Sequence, residues 1–138
     1  MKTMTNSTLT NKFVTDTMGL ILQMEHRRLS LQVKEIFDNA ESGGNIIYIP
    51  GIVFSEILYL SEKQRIEISI NDVAEYLERH LNYIEYPLSF DVIKSAARIT
   101  DIRELHDRLI AGTSLFLNLP LITNDPVIQS SEFVDTIW

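Results

Sequence analysis

Asp16, Glu56, Asp107 and Asp125 stand where a soluble fold has most reason to avoid charge, each inside an apolar segment or at its edge. Asp16 follows Phe13-Val14-Thr15, and Asp125 follows Leu119-Pro120-Leu121-Ile122-Thr123-Asn124. Both read as the carboxyl end of a short buried strand, where open α/β sheets place their ligand crevice. Glu56 interrupts an apolar run, with Ile52, Val53, Tyr59 and Leu60 three and four residues away on either side. Asp107 opens the helical run Asp107-Arg108-Leu109-Ile110-Ala111-Gly112-Thr113. Two carboxylates ~4 Å apart repel by roughly 4 kcal/mol at an effective dielectric of about 20. Three or four gathered in one crevice would therefore oppose folding by an amount comparable to the stability of a domain. Protonation, a basic side chain or a metal must relieve them, and an oxygen-only donor set suits Mg²⁺ or Mn²⁺.

Each acid also has an ordinary explanation. Asp16 and Asp125 suit helix N-caps, the latter with Pro126 at the first helical position. Asp107 suits a first-turn acid on its helix dipole. Glu56 would need a buried ion pair with an Arg or Lys. Most of the 19 Asp and Glu residues, Glu35, Asp38, Glu41, Glu75 and Glu78 among them, fall on polar helix faces as solvating charge.

The elements that carry these residues alternate in type. Lys12 to Thr15 reads as a first strand, followed by a turn and a short helix through Leu20 to Met24. Ser30 caps a helix carrying Leu31, Val33, Ile36, Phe37 and Ala40, which Ser42-Gly43-Gly44-Asn45 stops. Ile46 to Ile49 reads as a second strand ended by Pro50. Gly51 to Glu62 is a helix apolar nearly all round, which predicts burial on most faces. A helix over Asn71 to His80, a strand over Leu81 to Tyr86 and a helix capped by Ser89 come next. A helix over Asp107 to Asn118, a strand at Leu121-Ile122 and a last strand over Phe133 to Ile137 complete the chain. Strands alternating with helices give α/β with a mainly parallel sheet. Residues 1–11 read as a loose polar head and 12–138 as a single domain.

Composition narrows the function. The chain has 138 residues, is 45% hydrophobic and 22% charged, and contains no cysteine, which removes disulfide and thiolate chemistry. The polar start lacks the apolar stretch of a signal peptide and no segment reaches the length of a membrane span, so a cytoplasmic protein without membrane association is expected. A net charge of −7 speaks against a general positive field for nucleic acid, though not against an enzyme that meets phosphates through metal ions. Basic residues flanking the acids are Lys12, Arg27, Arg28, Arg103 and Arg108, each equally readable as surface charge or as an ion pair. Arg108 in particular is placed to pair with Glu104 one helical turn earlier. His106 adjoins Asp107 and reads as a loop or helix-start histidine. Tyr83, Tyr86 and Phe90 read as strand packing before they read as a platform for bases. The Ile57-Leu58-Tyr59-Leu60 stripe and the Met18 to Met24 turn read as core before they read as a dimer surface.

Four segments, in this order and spacing, give the chain a resemblance to the PIN-domain nucleases, in particular VapC-type toxins of bacterial toxin–antitoxin pairs. They are Val14-Thr15-Asp16-Thr17, Ile49-Pro50-Gly51-Ile52-Val53-Phe54-Ser55-Glu56-Ile57, His106-Asp107-Arg108-Leu109-Ile110-Ala111-Gly112-Thr113 and Leu119-Pro120-Leu121-Ile122-Thr123-Asn124-Asp125. The resemblance implies a three-layer α/β/α sandwich with strand order 3-2-1-4-5. It implies that Asp16, Glu56, Asp107 and Asp125 are catalytic ligands of one or two Mg²⁺ or Mn²⁺ ions, supported by the hydroxyls of Thr123 and Thr17. Lys12, Arg28 and Arg108 become candidate substrate contacts. The implied reaction is metal-assisted hydrolysis of a phosphodiester in RNA, by a homodimer restrained by a cognate antitoxin. Gly112-Thr113-Ser114 stands where many relatives carry Ala-rich segments but retains small residues for close helix packing.

A non-catalytic scaffold of this fold, binding a metal or a basic partner segment, is the alternative. Two other acid-clustering α/β classes fail on visible residues. A receiver domain needs an early acidic pair and a phosphoacceptor Asp, but Asp16 stands alone and Ile46 to Pro50 carries no acid. A haloacid-dehalogenase-type phosphatase needs a second Asp where Met18 stands.

Overall fold

A computed structural model describes residues 11–138, so nearly all of the head expected at 1–11 lies outside the described residues. The elements run β1 Lys12–Thr15, α1 Thr17–Met24, α2 Leu31–Glu41, β2 Ile46–Pro50, α3 Gly51–Glu62, α4 Ile70–Arg79, β3 Tyr83–Tyr86, α5 Phe90–Ala97, α6 Leu105–Leu117, β4 Leu121–Ile122, α7 Pro126–Gln129 and β5 Thr136–Ile137. The five strands form one parallel sheet in the order β3-β2-β1-β4-β5. Parallel strands buried on both faces must be apolar throughout. Val14, Ile47, Ile49, Leu121 and Ile122 accordingly exclude solvent completely.

The connections β1–β2 and β2–β3 progress toward one edge of the sheet, and β3–β4 and β4–β5 toward the other. Right-handed crossovers place those two sets of helices on opposite faces, which makes three layers. The order in which strands are added reverses between the neighbouring parallel strands β1 and β4, and their carboxyl ends open onto the crevice that the reversal leaves.

The helices start where capping side chains wait. Asp16 caps α1, Ser30 α2, Ser89 α5 and Asp125 α7, while Ser69 with Asp72 forms a capping box on α4. Capping explains most of the boundaries that differ from expectation. Asp16 starts α1 at Thr17, ahead of Leu20. Glu104 accepts from the Asp107 amide and starts α6 at Leu105, so Asp107 lies in the first turn. Ser69 brings the start of α4 to Ile70. Leu81 is 78% exposed and outside β3, and only Thr136–Ile137 of the expected last strand pairs with β4.

The larger difference is α3. Only Val53 and Ile57 are fully buried, whereas Leu58 and Tyr59 are 45% and 53% exposed. The all-round apolar pattern reports what avoids water, not whether the covering surface belongs to the same chain. Tyr83 packs between Phe37 and Tyr76 and donates to the Phe37 carbonyl at 2.9 Å, so it is core.

α5 and α6 approach closely because Gly112 has no side chain: a Cβ there would stand 2.6 Å from Ala96 Cβ. Replacing Gly112 by Ala gains up to about 1 kcal/mol of helix propensity but forces α5 away at about 1–3 kcal/mol. Steric overlap at 2.6 Å decides the sign, so Gly112→Ala lowers the urea midpoint of the protein.

Candidate active site

The β1–β4 junction is tied at its carboxyl end. The Asp16 amide donates to the Ile122 carbonyl at 3.1 Å, which sets Asp16 beside Thr123. Thr123 is completely buried, and its hydroxyl donates to the Asp16 carboxylate while accepting the Asp125 amide at 3.1 Å. One hydroxyl therefore fixes the carboxylate after β1 to the backbone that carries the acid after β4. Asp16 Oδ1 also accepts from the Gly19 amide at 2.8 Å, and Asp125 Oδ1 accepts from Val127 and Ile128 at 2.8 and 3.2 Å. Both acids are thus helix caps as well as strand-end residues.

Glu56 reaches the same place from α3, and Asp107 from the first turn of α6. Thr17 donates its hydroxyl to Glu56 Oε1, and His106 Nδ1 stands 3.4 Å from Glu56 Oε2. Among the described residues no Arg or Lys pairs with Glu56: its partners are Thr17 and His106. Asp16, Glu56, Asp107 and Asp125 line a single cleft of about 770 Å³, together with Thr17, His106 and Asn124.

The cleft is electrostatically uncomfortable. Burial pushes the Asp16 carboxyl up to about 6, against the hydrogen bonds from Thr123 and Gly19, and the charges of Asp125 and Glu56 push the same way. Asp107 also rises to about 6, through burial and then the charges of Asp125, Glu104, Glu56 and Asp16. Among the described residues no Lys or Arg pairs with any of the four. No three carboxylate or histidine side chains among those residues are gathered into a ready metal cage. They face one cleft as separate donors. An oxygen donor set that repels itself, with no basic side chain to neutralise it, fits a hard dication.

The basic candidates are placed elsewhere. Lys12 begins β1, at the end of the sheet away from the acids. Arg108 turns to α5 and donates to the carbonyls of Ala96 and Ala97 at 2.9 and 3.2 Å, so it neither pairs with Glu104 nor enters the cleft. Arg27 pairs with Glu25 at 3.2 Å. Arg28 lines a smaller neighbouring cavity, and Arg103 lies on the exposed surface.

One contributor escaped the sequence reading, and a second was only half visible in it. Gly19 is required by proximity, because a Cβ there would stand 2.9 Å from Thr15 Oγ1 and 3.0 Å from Asp16 Oδ1. Its signal was the spacing of a cap residue and the amide three positions on. His106 is a cleft residue, and only its adjacency to Asp107 hinted at this.

A family model described as PIN domain matches residues 13–132. No curated protein matches the chain. Among solved structures, a chain of VapBC2 from Rickettsia felis bound to a DNA fragment from their promoter superposes with a TM-score of 0.71 at 17% identity, covering 92% of this chain and 98% of that one. DNA-bound VapBC from Salmonella typhimurium gives 0.68 at 17% identity, with 92% and 97% covered. FitAcB from Neisseria gonorrhoeae gives 0.64 at 17% identity, with 91% and 96% covered.

The raised carboxyls set a pH dependence. The folded, metal-free chain holds protons on Asp16 and Asp107 that the unfolded chain releases near its ordinary carboxylate value. Stability therefore falls as pH rises toward and through 6, by at most about 3 kcal/mol for Asp16. Asp38, lowered by the Gln23 amide and Lys34, acts in the opposite sense and loses its contribution only below about pH 4. In EDTA the protein melts higher at pH 5 than at pH 8, and Asp16→Asn flattens that difference. Adding Mn²⁺ at pH 8 raises the melting temperature. A metal-free melting point that climbs between pH 5 and 8 contradicts the electrostatic reading.

Proposed function

The chain belongs to the PIN-domain family, and from that premise we propose that it is a Mg²⁺- or Mn²⁺-dependent endoribonuclease, the toxin of a toxin–antitoxin pair. The observation that carries this reading is the convergence of Asp16, Glu56, Asp107 and Asp125 from four different elements on one cleft, unneutralised by Lys or Arg among the described residues. These four carboxylates would hold the metal, which when bound supplies Lewis-acid charge for a phosphodiester and its attacking water.

The protein's own contribution is positioning. Asp16 is held by the Gly19 amide and the Thr123 hydroxyl, so its carboxylate needs no rearrangement to serve as a ligand. Asp125 commits Oδ1 to the start of α7, which leaves its second oxygen for the cleft. Thr17 orients Glu56, and His106 flanks it from the other side. Ile110 lines the cleft and belongs to the close-packed core that also holds Leu20, Ile21 and Ile122, which limits how far these groups can drift. No side-chain nucleophile is needed for hydrolysis by water.

The antitoxin proposal draws on neighbours that are themselves toxin–antitoxin complexes, including one from Klebsiella pneumoniae. It also draws on apolar surface left uncovered by this chain: Met18 is 38% exposed and Tyr59 53%, both on the cleft, with Leu58 beside them. A partner segment or a second copy laid over α3 would bury that surface. Among the described residues no helix is long and apolar enough to cross a membrane.

Purified protein freed of any partner cleaves single-stranded RNA with Mn²⁺ or Mg²⁺, and EDTA stops it. Asp16→Ala and Asp125→Asn abolish cleavage. Thr123→Val and Gly19→Ala, which disturb the hold on Asp16, lower it about 10–100-fold. Absence of cleavage of any RNA with every divalent metal tried would remove the nuclease proposal and leave a binding scaffold.

A further inference from the structure

Beside the carboxylate cleft lies a second cavity of about 450 Å³, and Asn124 lines both. Its walls bring together residues from opposite ends of the chain: Leu22, Arg28 and Leu29 with Trp138. Arg28 follows α1, is exposed, and among the described residues takes part in no ion pair. That distinguishes it from Arg27, held by Glu25, and from Arg108, turned to α5. In a chain of net charge −7, an unpaired guanidinium next to an acidic cleft is poorly placed for a protein partner of the same sign but well placed for a phosphate. Trp138 supplies an aromatic face on the same cavity, partly buried and therefore fixed. A guanidinium and an aromatic face side by side are the pair by which single strands are held without sequence reading.

We propose that this cavity is a nucleotide subsite of the cleft: the residue flanking the scissile phosphate sets its base against Trp138 and its phosphate against Arg28, with Asn124 as the shared wall. The inference rests on the ribonuclease reading above and answers the difficulty that reading carries. An acidic protein grips a polyanion at one unpaired Arg and one stacking face, in place of a broad positive field.

Trp138 is the only tryptophan, so its fluorescence reports the subsite directly. A single-stranded RNA hexamer titrated with Mg²⁺ into the full-length Asp16→Asn protein, which binds without cutting, quenches that emission. In otherwise wild-type protein, Arg28→Gln raises KM for the hexamer about ten-fold and Arg28→Lys recovers part of the loss. Trp138→Phe, which keeps a ring, changes KM less than Trp138→Ala, whose loss is about ten-fold. The kcat of Arg28→Gln stays near wild type, because Arg28 touches no carboxylate of the cleft. Cleavage by wild type with silent Trp138 emission and unchanged KM in both Arg28→Gln and Trp138→Ala overturns the subsite while leaving the nuclease intact. Quenching in Asp16→Asn together with no cleavage by the wild-type protein under any divalent metal sinks the nuclease and retains RNA binding at this cavity. Quenching that the Arg28→Gln change leaves at full strength also overturns the proposal.

Discussion

A carboxylate held out of water in a cleft it shares with three other acids is the constraint around which this fold is organised. Asp16 is 7% exposed and has charged acids for neighbours, so its ionised form is opposed by desolvation first and by repulsion second. Ordinary folding would remove such a group or pair it with a base. Here the surrounding hydrogen bonds do neither. Thr123 and Gly19 stabilise the ionised carboxylate and fix its direction, yet burial still outweighs them. The result is a site under electrostatic stress, and the stress is concentrated where the strand order reverses between β1 and β4.

The same hydrogen bonds that start helices also aim the site. Asp16 and Asp125 each accept backbone N–H groups at Oδ1 from the first turn of a helix, α1 and α7, so the acids help start the short elements after β1 and β4. Position and chemistry are therefore coupled: a change that loosens the cap loosens the carboxylate. Gly19 extends this logic, since its missing Cβ lets the first turn of α1 close onto Thr15 and Asp16. On the opposite side Gly112 lets α5 close onto α6, and Arg108 fastens that pair by donating to the carbonyls at the end of α5. Arg108 is thereby used for architecture, although its position next to Asp107 suggested substrate.

Much of this was legible in the letters, for a physical reason. β1 and β4 are short apolar runs that end abruptly in acid, and a parallel sheet leaves such an ending nowhere to go but the crevice at its carboxyl edge. The capping readings of Asp16 and Asp125 are compatible with their facing one cleft, because a carboxylate has two oxygens, and Asp107 faces it from the first turn of α6. What could not be read was anything set by distance alone. The approach of His106 to Glu56 and the cavity shared by Arg28 and Trp138 join residues that sequence periodicity does not relate. α3 misled in another way. Its apolar pattern predicts burial on most faces, but Leu58 and Tyr59 remain open.

Calorimetric titration of the protein with Mn²⁺ at pH 6, repeated in buffers of different ionisation enthalpy, tests the central claim most directly. With Asp16 and Asp107 both near half-protonation at that pH, ion binding must expel protons, about one per protein, and the release must vanish at pH 8. Binding at pH 6 with no buffer-dependent heat, or no binding at either pH, would show that the four acids neither strain one another nor need a cation.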